Sequence, residues 1–227
     1  EQLGRLASLG IEKGKPFEPD ARMQRIFDQA AKEAVAMSRV ITFASRDPEE
    51  KLYKGMSWGT PFIGGNSEFV KNGYRNLEAR TLYHYNAIVV TPAMAAPMPE
   101  GKGSKYSSTY VDENGDFLDG SKTYRLRVPP NVPVREFWSI TVYDPATRSQ
   151  LQTSQPLPSI SSQQNPPANE DGSVDIYFSA KKPDGVAESN WIQTVAGKGF
   201  FPFYRFYGPL KAFNDQTWKP VEIELVK

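Results

Sequence analysis

From Tyr106 onward, short apolar segments alternate with turn signals such as Asn114-Gly115 and Asp171-Gly172. In the segment around Trp138, apolar and polar side chains alternate, which is the period of a strand with one buried face. A series of short strands separated by turns predicts an antiparallel β-sandwich. The chain is therefore expected to be mainly β, with a sandwich domain over residues 75–227 and a helical and irregular segment over 1–74. The predicted strands span residues 107–111, 117–118, 123–128, 137–143, 174–179, 200–207 and 221–226.

One segment near the N-terminus has helical spacing instead. Asp20 is a good N-cap, and apolar residues recur every three or four positions after it. This predicts a helix over about residues 21–43, with loops over 1–19 and, further on, over 154–170. The apolar face either packs on the chain's own domain or, as a sharper hypothesis, forms a helix–helix contact in a homodimer. Its residues are Met23, Ile26, Phe27, Ala30, Ala34, Met37 and Ile41.

Residues 75–90 are ambiguous between helix and strand. Leu77, Glu78 and Leu82 favour a helix, whereas Ile88 and Val89 favour a strand. We predict a helix over residues 75–87. Because apolar positions fall all round a helical wheel, the segment is expected to be buried in either case.

The composition excludes several classes of function. The chain has 27 basic and 26 acidic residues, which argues against a broad nucleic-acid-binding surface. No apolar run approaches the length of a membrane span. The absence of cysteine excludes disulfides and thiolate chemistry and suits an exported bacterial protein. The chain starts at Glu1 rather than Met, which indicates processing or excision from a longer parent and is compatible with a removed signal peptide.

Metal and cofactor sites are not expected. With His84 as the only histidine, no zinc motif is possible, and there is no nucleotide-binding fingerprint. Asp112, Asn114 and Asp116 imitate the start of a calcium loop, but Phe117 occupies the position of the required glycine. This segment is predicted to be a hairpin turn.

Aromatic residues beside charged residues are the remaining signal. Such sets stack on sugar rings or hold carboxylates through arginine. Alternatively, they are core residues with hydrogen-bonded tips at the edge of the sandwich. Trp191 and Trp218 are expected to be partly buried anchors for the segment between them. The candidate binding residues are Trp191, Tyr204, Arg205 and Tyr207, and the candidate catalytic residues are Glu78, Arg80, His84 and Tyr85, beside Tyr83.

Two functions fit these residues. The first is a binding protein for a glycan or another component of the cell envelope. The second is a polysaccharide lyase or hydrolase. Elimination needs a base such as His84 or a tyrosine, with an arginine to neutralise the substrate carboxylate, and hydrolysis needs two carboxylates, of which Glu78 is one candidate. A buried, neutral His84 is expected, either as a base or as a structural residue.

Several longer motifs follow one another in the chain, at residues 91–94, 119–124, 137–144, 147–149, 171–174, 190–192, 197–199 and 205–210. In this order they resemble the bacterial family of the domain of unknown function 1214, over about residues 75–226. The resemblance implies an exported or envelope-associated protein built from jelly-roll-like β-sandwich domains, with a helical part that can mediate dimerisation. It also implies a second domain of unknown function, number 1254, on the N-terminal side, and this chain is expected to lack most or all of that domain.

Overall fold

The computed structural model describes residues 2–226, and this part of the chain contains helices and sheets in similar proportion. The long helix begins where the Asp20 carboxylate accepts a hydrogen bond from the Met23 amide at 2.7 Å. A second helix begins where the Asn76 side chain accepts from the Ala79 amide at 3.0 Å. The helices are α1 (Gln2–Ser8), α2 (Ala21–Phe43), α3 (Leu77–Asn86), α4 (Pro92–Ala95) and α5 (Lys211–Asn214).

Ten strands form three sheets within the described range. The longest two strands, around Trp138 and Tyr204, pair with each other at the centre of one sheet. The strands are β1 (Val70–Lys71), β2 (Tyr74–Arg75), β3 (Ser104–Ser108), β4 (Tyr124–Val128), β5 (Val134–Tyr143), β6 (Ser159–Ser161), β7 (Val174–Ser179), β8 (Trp191–Gln193), β9 (Phe201–Pro209) and β10 (Glu224–Leu225).

Two four-stranded sheets dominate the fold. One, here called the β9 sheet, has the order β3-β9-β5-β6 and is antiparallel throughout. The other, the β4 sheet, has the order β10-β4-β7-β8. Its β7 and β8 run parallel, whereas its other pairs are antiparallel. Strands β1 and β2 form a small separate ribbon.

A single apolar core joins the two large sheets. Leu126 and Ile176 come from the β4 sheet, and Ile140 and Phe206 come from the β9 sheet; all four are fully buried in one cluster. Because side chains alternate along a strand, residues between these core positions point to the outer face of each sheet. The outer face of the β9 sheet therefore carries Phe203, Arg205 and their neighbours.

The prediction of a mainly β chain is only partly confirmed. Strand occupies about 24% of the residues and helix about 26%, so the fold is a mixture of α and β. The parallel pairing of β7 with β8 departs from the expected antiparallel sandwich, and a jelly-roll arrangement is not evident. The helical share comes mainly from α2 and α3, because each has a capping residue and a run without breakers.

Individual elements agree to different degrees. The helix over 21–43 and the strand over 174–179 are confirmed at both ends. A strand over 117–118 is wrong, since Phe117 makes only an isolated bridge to Val111. The loops predicted over 1–19 and 154–170 are also wrong in part, because they contain α1 and β6. Strand β6 is three residues long and lies among prolines and serines, so its pairing with β5 comes from the tertiary structure rather than from local preference.

The expected burial of residues 75–90 is wrong. Only one face of α3 is covered: Ala79, Leu82 and Tyr83 are buried against Phe62 and Phe69. The opposite face and the segment after the helix are open to solvent, and the Ile88 side chain is 95% exposed. The apolar residues round the helical wheel therefore do not indicate burial on all sides.

Helix α2 packs against the region of α3 near its C-terminal end, and nearer its N-terminal end the Phe27 ring lies 5.6 Å from that of Phe17. Thr42 is buried, and Ile41 packs against the cluster beneath α3. Residues Ile26 and Met37 are exposed. None of the helices in residues 2–226 combines the length and the apolar character needed to cross a membrane. The division of the chain at residue 74 stays a prediction, although the cluster that contains Phe69 and Tyr83 crosses it.

Candidate functional site

A cavity of about 190 Å³ lies on the outer face of the β9 sheet, and we call it the Arg148–Arg205 pocket. Its base is formed by side chains of β3, β5 and β9. Its other walls come from α3, α4, the segment before Ile63 and the turn after β5. The lining residues are Pro61, Phe62, Tyr83, Asn86, Ala87, Met94, Tyr106, Tyr143, Arg148, Phe201, Phe203 and Arg205.

The base of the pocket follows from the strand register. Phe201, Phe203 and Arg205 alternate along β9 with the core residues Tyr204 and Phe206. Thus the same strand that fills the core with one set of aromatic rings presents the other set to the pocket.

Arg205 is held in the base by a neighbouring tyrosine. Its Nη2 donates a hydrogen bond to the Tyr143 hydroxyl. The guanidinium carbon also lies 5.7 Å from the centre of the Tyr143 ring and 6.0 Å from that of Tyr106. The Nε atom is buried and has no hydrogen-bond partner among the described residues. A buried, unpaired donor is costly, so a ligand acceptor that reached this N–H would be favoured.

Arg148 enters the pocket from the turn after β5. Asp144 shapes this turn by accepting hydrogen bonds from the Ala146 amide, at 2.7 Å, and the Arg148 amide, also at 2.7 Å. Arg148 itself has a left-handed backbone, with φ of 60°. Its guanidinium lies over the Tyr85 ring, 4.2 Å from the ring centre, and its Nε donates to the Tyr85 carbonyl at 3.1 Å.

The two arginines give the pocket an uncompensated positive charge. No aspartate or glutamate lines it, and neither Arg148 nor Arg205 forms an ion pair within residues 2–226. The other lining groups are mostly aromatic or apolar. In such surroundings charge is screened less than in water, so the arrangement favours an anion with good geometry.

Polar groups on α3 add to the wall. Both polar atoms of the Asn86 amide are buried without a hydrogen bond of ordinary geometry, and the amide lies beside the Tyr110 hydroxyl. The Tyr83 hydroxyl donates to the Val89 carbonyl at 2.7 Å, and burial raises the pKa of Tyr83. Tyr83 therefore serves as a neutral wall, whereas Asn86 has bonding capacity left for a ligand.

The candidate catalytic residues do not meet at this pocket. His84 and Glu78 are exposed, and neither they nor Arg80 line the pocket. The His84 ring lies 6.1 Å from the Phe69 ring and 5.4 Å from that of Tyr83. The expectation of a buried His84 is wrong, because α3 turns this position to solvent. Tyr85 is connected to the pocket, but through Arg148.

The candidate binding residues are also dispersed. Arg205 lines the pocket. Tyr204 is 0% exposed in the core, where burial raises its pKa well above the usual value. Tyr207 stacks on Phe137 at 4.0 Å on the outer face of the same sheet. Trp191 lies on β8 in the other sheet and donates to the Ser179 carbonyl at 3.1 Å. Trp191 and Trp218 are half-buried, as expected.

Sequence reasoning missed Tyr106, Tyr143, Arg148 and Asn86 as lining residues. A signal existed for two of them. Tyr143 and Arg148 flank the Asp144-Pro145 turn, and a side chain at the end of a strand or in the following turn often faces a ligand. Tyr106 and Asn86 offered no such signal, since their position depends on the pairing of β3 with β9 and on the docking of α3.

Metal binding has no support in the described part of the chain. No group of three or more histidine, aspartate or glutamate side chains there is arranged to hold an ion. The Asp112 carboxylate accepts hydrogen bonds from the amides of Asn114, at 2.9 Å, and Asp116, at 3.1 Å. These bonds form a local turn, which agrees with the expected hairpin.

Comparison with known proteins supports the resemblance seen in the motifs. Residues 103–211, just under half of the chain, match the model of a family described as protein of unknown function (DUF1214). The match includes β3 to β9 and, of the residues named above, Tyr106, Tyr143, Arg148 and Arg205. This match does not show the companion domain that the resemblance implies. No curated protein matches the chain.

Two solved structures are similar to the chain. The crystal structure of the VPA0106 protein from Vibrio parahaemolyticus has 24% sequence identity and a TM-score of 0.49, over 99% of this chain and 50% of that one. A crystal structure of an uncharacterized protein from Burkholderia cenocepacia has 14% identity and a TM-score of 0.43, over 99% of this chain and 47% of that one. The chain thus spans about half the length of either protein.

Proposed function

We propose that the Arg148–Arg205 pocket binds a small carboxylate ligand, and that this ligand is one acidic sugar residue of a glycan. The observation that carries the proposal is the buried Nε of Arg205, which has no partner although it lies in a pocket with a second arginine and no acid. A carboxylate supplies two acceptors of the required charge.

The aromatic lining favours a ring rather than a bare anion. Tyr106, Tyr143 and Phe203 offer apolar and weakly polar surface on which the face of a sugar ring can pack. The cavity of about 190 Å³ is below the range of about 300–1,000 Å³ typical of drug-sized ligands. This size supports recognition of a single residue, such as the end of a chain.

The test compares acids with matched neutral sugars by titration calorimetry. Glucuronate and galacturonate are expected to bind at least tenfold more tightly than glucose and galactose, because only the acids pair with the arginines. Equal affinity for acid and neutral sugar would show that charge does not select the ligand. Binding of acetate as tight as that of glucuronate would remove the sugar from the proposal and leave only an anion site.

A second candidate is an eliminating enzyme on an acidic polysaccharide. The hydrogen bond from Arg205 to the Tyr143 hydroxyl favours it, because a tyrosine beside an arginine suits proton abstraction next to a carboxylate. In this reaction the Tyr143 phenolate, whose own proton has first passed to solvent, takes the proton from the carbon next to the carboxylate. A carbon–carbon double bond then forms, the β carbon–oxygen bond breaks, and the leaving oxygen takes up a proton. Hydrolysis has less support, since no carboxylate pair lines the pocket.

Elimination is distinguished from binding by its unsaturated product, which absorbs in the ultraviolet. The enzyme hypothesis expects the wild type to form this product from an acidic polysaccharide and Tyr143→Phe to lose it by about a hundredfold or more. His84→Gln, which changes an exposed residue outside the pocket, is expected to keep the activity. If His84→Gln loses the activity with its fold intact, the assignment to Tyr143 is incorrect.

We also propose that α2 mediates a homodimer. Ile26 and Met37 are exposed on one side of this helix, at helical spacing and with Ala30 between them. Apolar side chains repeated along one helix side are better covered than exposed. A second copy offers the same surface, as an isologous dimer requires.

The cellular location is a proposal as well. The lack of cysteine supports export, as does the envelope association that the family resemblance implies. The same family resemblance implies a companion domain of the 1254 type, which we propose for the complete protein. Fractionation of cells that make the complete protein tests the location, and a cytoplasmic protein would contradict it.

A further inference from the structure

A second cavity, of about 350 Å³, lies where the end of α2 meets the aromatic part of β9, and we call it the α2 pocket. Phe201 separates it from the Arg148–Arg205 pocket, because this side chain lines both. The lining residues are Arg39, Val40, Phe43, Ala44, Tyr110, Phe117, Leu118, Pro145, Gly199, Phe200 and Phe201.

The floor of the α2 pocket is aromatic and closed. Leu118, Phe200 and Phe201 are each no more than 3% exposed. Above them, the Phe43 ring lies 5.0 Å from that of Tyr110 and 5.7 Å from that of Phe201. This packed surface fixes the shape of the cavity and gives it depth.

The rim, by contrast, exposes large apolar side chains to water. Val40 and Phe117 line the pocket and are each 60% exposed. Covering such side chains is favourable because it removes apolar surface from water. An apolar ligand in the pocket would cover them together.

The charge at the rim of the pocket indicates that the other end of the ligand is negatively charged. Arg39 lines the pocket on α2 and, within the described part of the chain, has no hydrogen-bond or ion-pair partner. No acidic residue lines the cavity. Asp144, which precedes the lining residue Pro145, is paired with Lys198 at 3.3 Å.

We infer that the α2 pocket binds a linear alkyl carboxylate, with the alkyl chain against Phe43, Leu118 and Phe201 and the carboxylate beside Arg39. The apolar walls suit the alkyl chain, and the unpaired guanidinium of Arg39 complements the single negative charge of the carboxylate. The volume lies within the range of about 300–1,000 Å³ for small-molecule sites. This site does not depend on the sugar site, from which Phe201 separates it.

Titration calorimetry with alkyl carboxylates of increasing length tests the inference. Hexanoate, octanoate and decanoate, each below the concentration at which it forms micelles, are expected to bind with a Kd that falls about threefold to fourfold for each added methylene. Decanol is expected to bind about fivefold more weakly than decanoate, and decyltrimethylammonium more weakly still. Affinity independent of chain length, or equal affinity for the cation and the carboxylate, would overturn the inference.

Two variants locate the site. Ala44→Trp, at the C-cap of α2, fills the cavity from its exposed edge and is expected to weaken decanoate binding at least tenfold, whereas Ala31→Trp, within α2 and outside the cavity, leaves it unchanged. Arg39→Gln is expected to weaken decanoate about fivefold and decanol by less than twofold, and Arg22→Gln is its control. All four residues are exposed, so the fold tolerates the changes. If Ala44→Trp melts like the wild type and still binds decanoate equally, the ligand lies elsewhere and the inference fails.

Discussion

The Arg148 guanidinium carbon lies 4.2 Å from the centre of the Tyr85 ring, and its Nε donates to the Tyr85 carbonyl at 3.1 Å. This contact joins α3 to the turn after β5. It fixes the direction in which Arg148 enters the pocket, since the side chain is otherwise long and flexible. Tyr85 thus contributes to the site as a positioning residue.

Tyr85 does not contact the proposed ligand directly, but replacing it is expected to weaken the binding of acidic sugars through Arg148. Tyr85→Ala removes the ring beneath Arg148 and should raise the Kd of glucuronate about fivefold. Tyr85→Phe keeps the ring and should bind within about twofold of the wild type. Titration calorimetry measures both, and an unchanged Kd in Tyr85→Ala would show that Arg148 does not need the ring.

Trp218 is expected to act as an apolar anchor rather than as a hydrogen-bond donor. Its ring lies 5.8 Å from that of Phe206 and 6.2 Å from that of Tyr204, and its indole N–H is buried without a partner. Trp218→Ala should cost about 3 kcal/mol of unfolding free energy. Trp218→Phe should cost less than half of that, because it keeps an aromatic ring and removes the unpaired donor. Urea denaturation tests this; equal losses would mean that the N–H finds a partner in solution.

Local sequence signals determined the best-predicted elements. Helix α2 has an aspartate cap and a regular apolar spacing, and β7 alternates between turns, so both were predictable. The short strands β6 and β8 were not, because three residues carry no period and their pairing depends on neighbours distant in sequence. The sequence likewise does not predict the parallel pairing of β8 with β7.

The ion pair between Arg127 and Asp175 should make the free energy of unfolding depend on pH in the acidic range. Arg127 donates to the two carboxylate oxygens at 2.7 and 3.0 Å, and these bonds hold the pKa of Asp175 below its usual range. Because the pKa of Asp175 is lower in the folded state, the ion pair contributes fully to the free energy of unfolding above about pH 4, the pKa of aspartate in the unfolded chain. This contribution is lost as the pH falls through the pKa of Asp175 in the folded protein.

Asp175→Asn should therefore lose about 1 kcal/mol at neutral pH, a modest amount because Arg127 is partly exposed. The gap between variant and wild type should narrow below about pH 4. Denaturation at several pH values measures this. Asp184→Asn, at an exposed position with no ion pair in the described range, serves as the control. A gap that stays constant from neutral to acid pH would contradict the assignment.

The sequence predicted the types of side chain in the candidate site, but not which residues form it. Arginine beside aromatic residues was recognised in the sequence, and Arg205 does line a pocket. Tyr204 follows the same pattern but faces the core, because adjacent strand residues point to opposite faces. His84 was singled out as the only histidine, yet its exposure depends on which face of α3 docks. Arg148 depends on a left-handed turn residue, which sequence alone does not specify.

If α2 forms the proposed dimer, substitutions on its exposed apolar side should change the mass of the assembly in solution and not the fold of each copy. Ile26→Glu combined with Met37→Glu should convert a dimer into a monomer in sedimentation experiments, because like charges would meet at the interface. Lys32→Glu, on another side of α2, should leave the dimer intact. A wild type that sediments as a monomer at micromolar concentration would contradict the role of α2.

The most direct measurement titrates glucuronate into the wild type, Arg148→Gln, Arg205→Gln and the double variant. The account predicts a loss of about tenfold or more in each single variant and no measurable binding in the double variant. Arg75→Gln, which changes an exposed arginine outside the pocket, should bind like the wild type. Folded Arg148→Gln and Arg205→Gln variants that bind glucuronate as tightly as the wild type would contradict the central claim that these two arginines form an anion site.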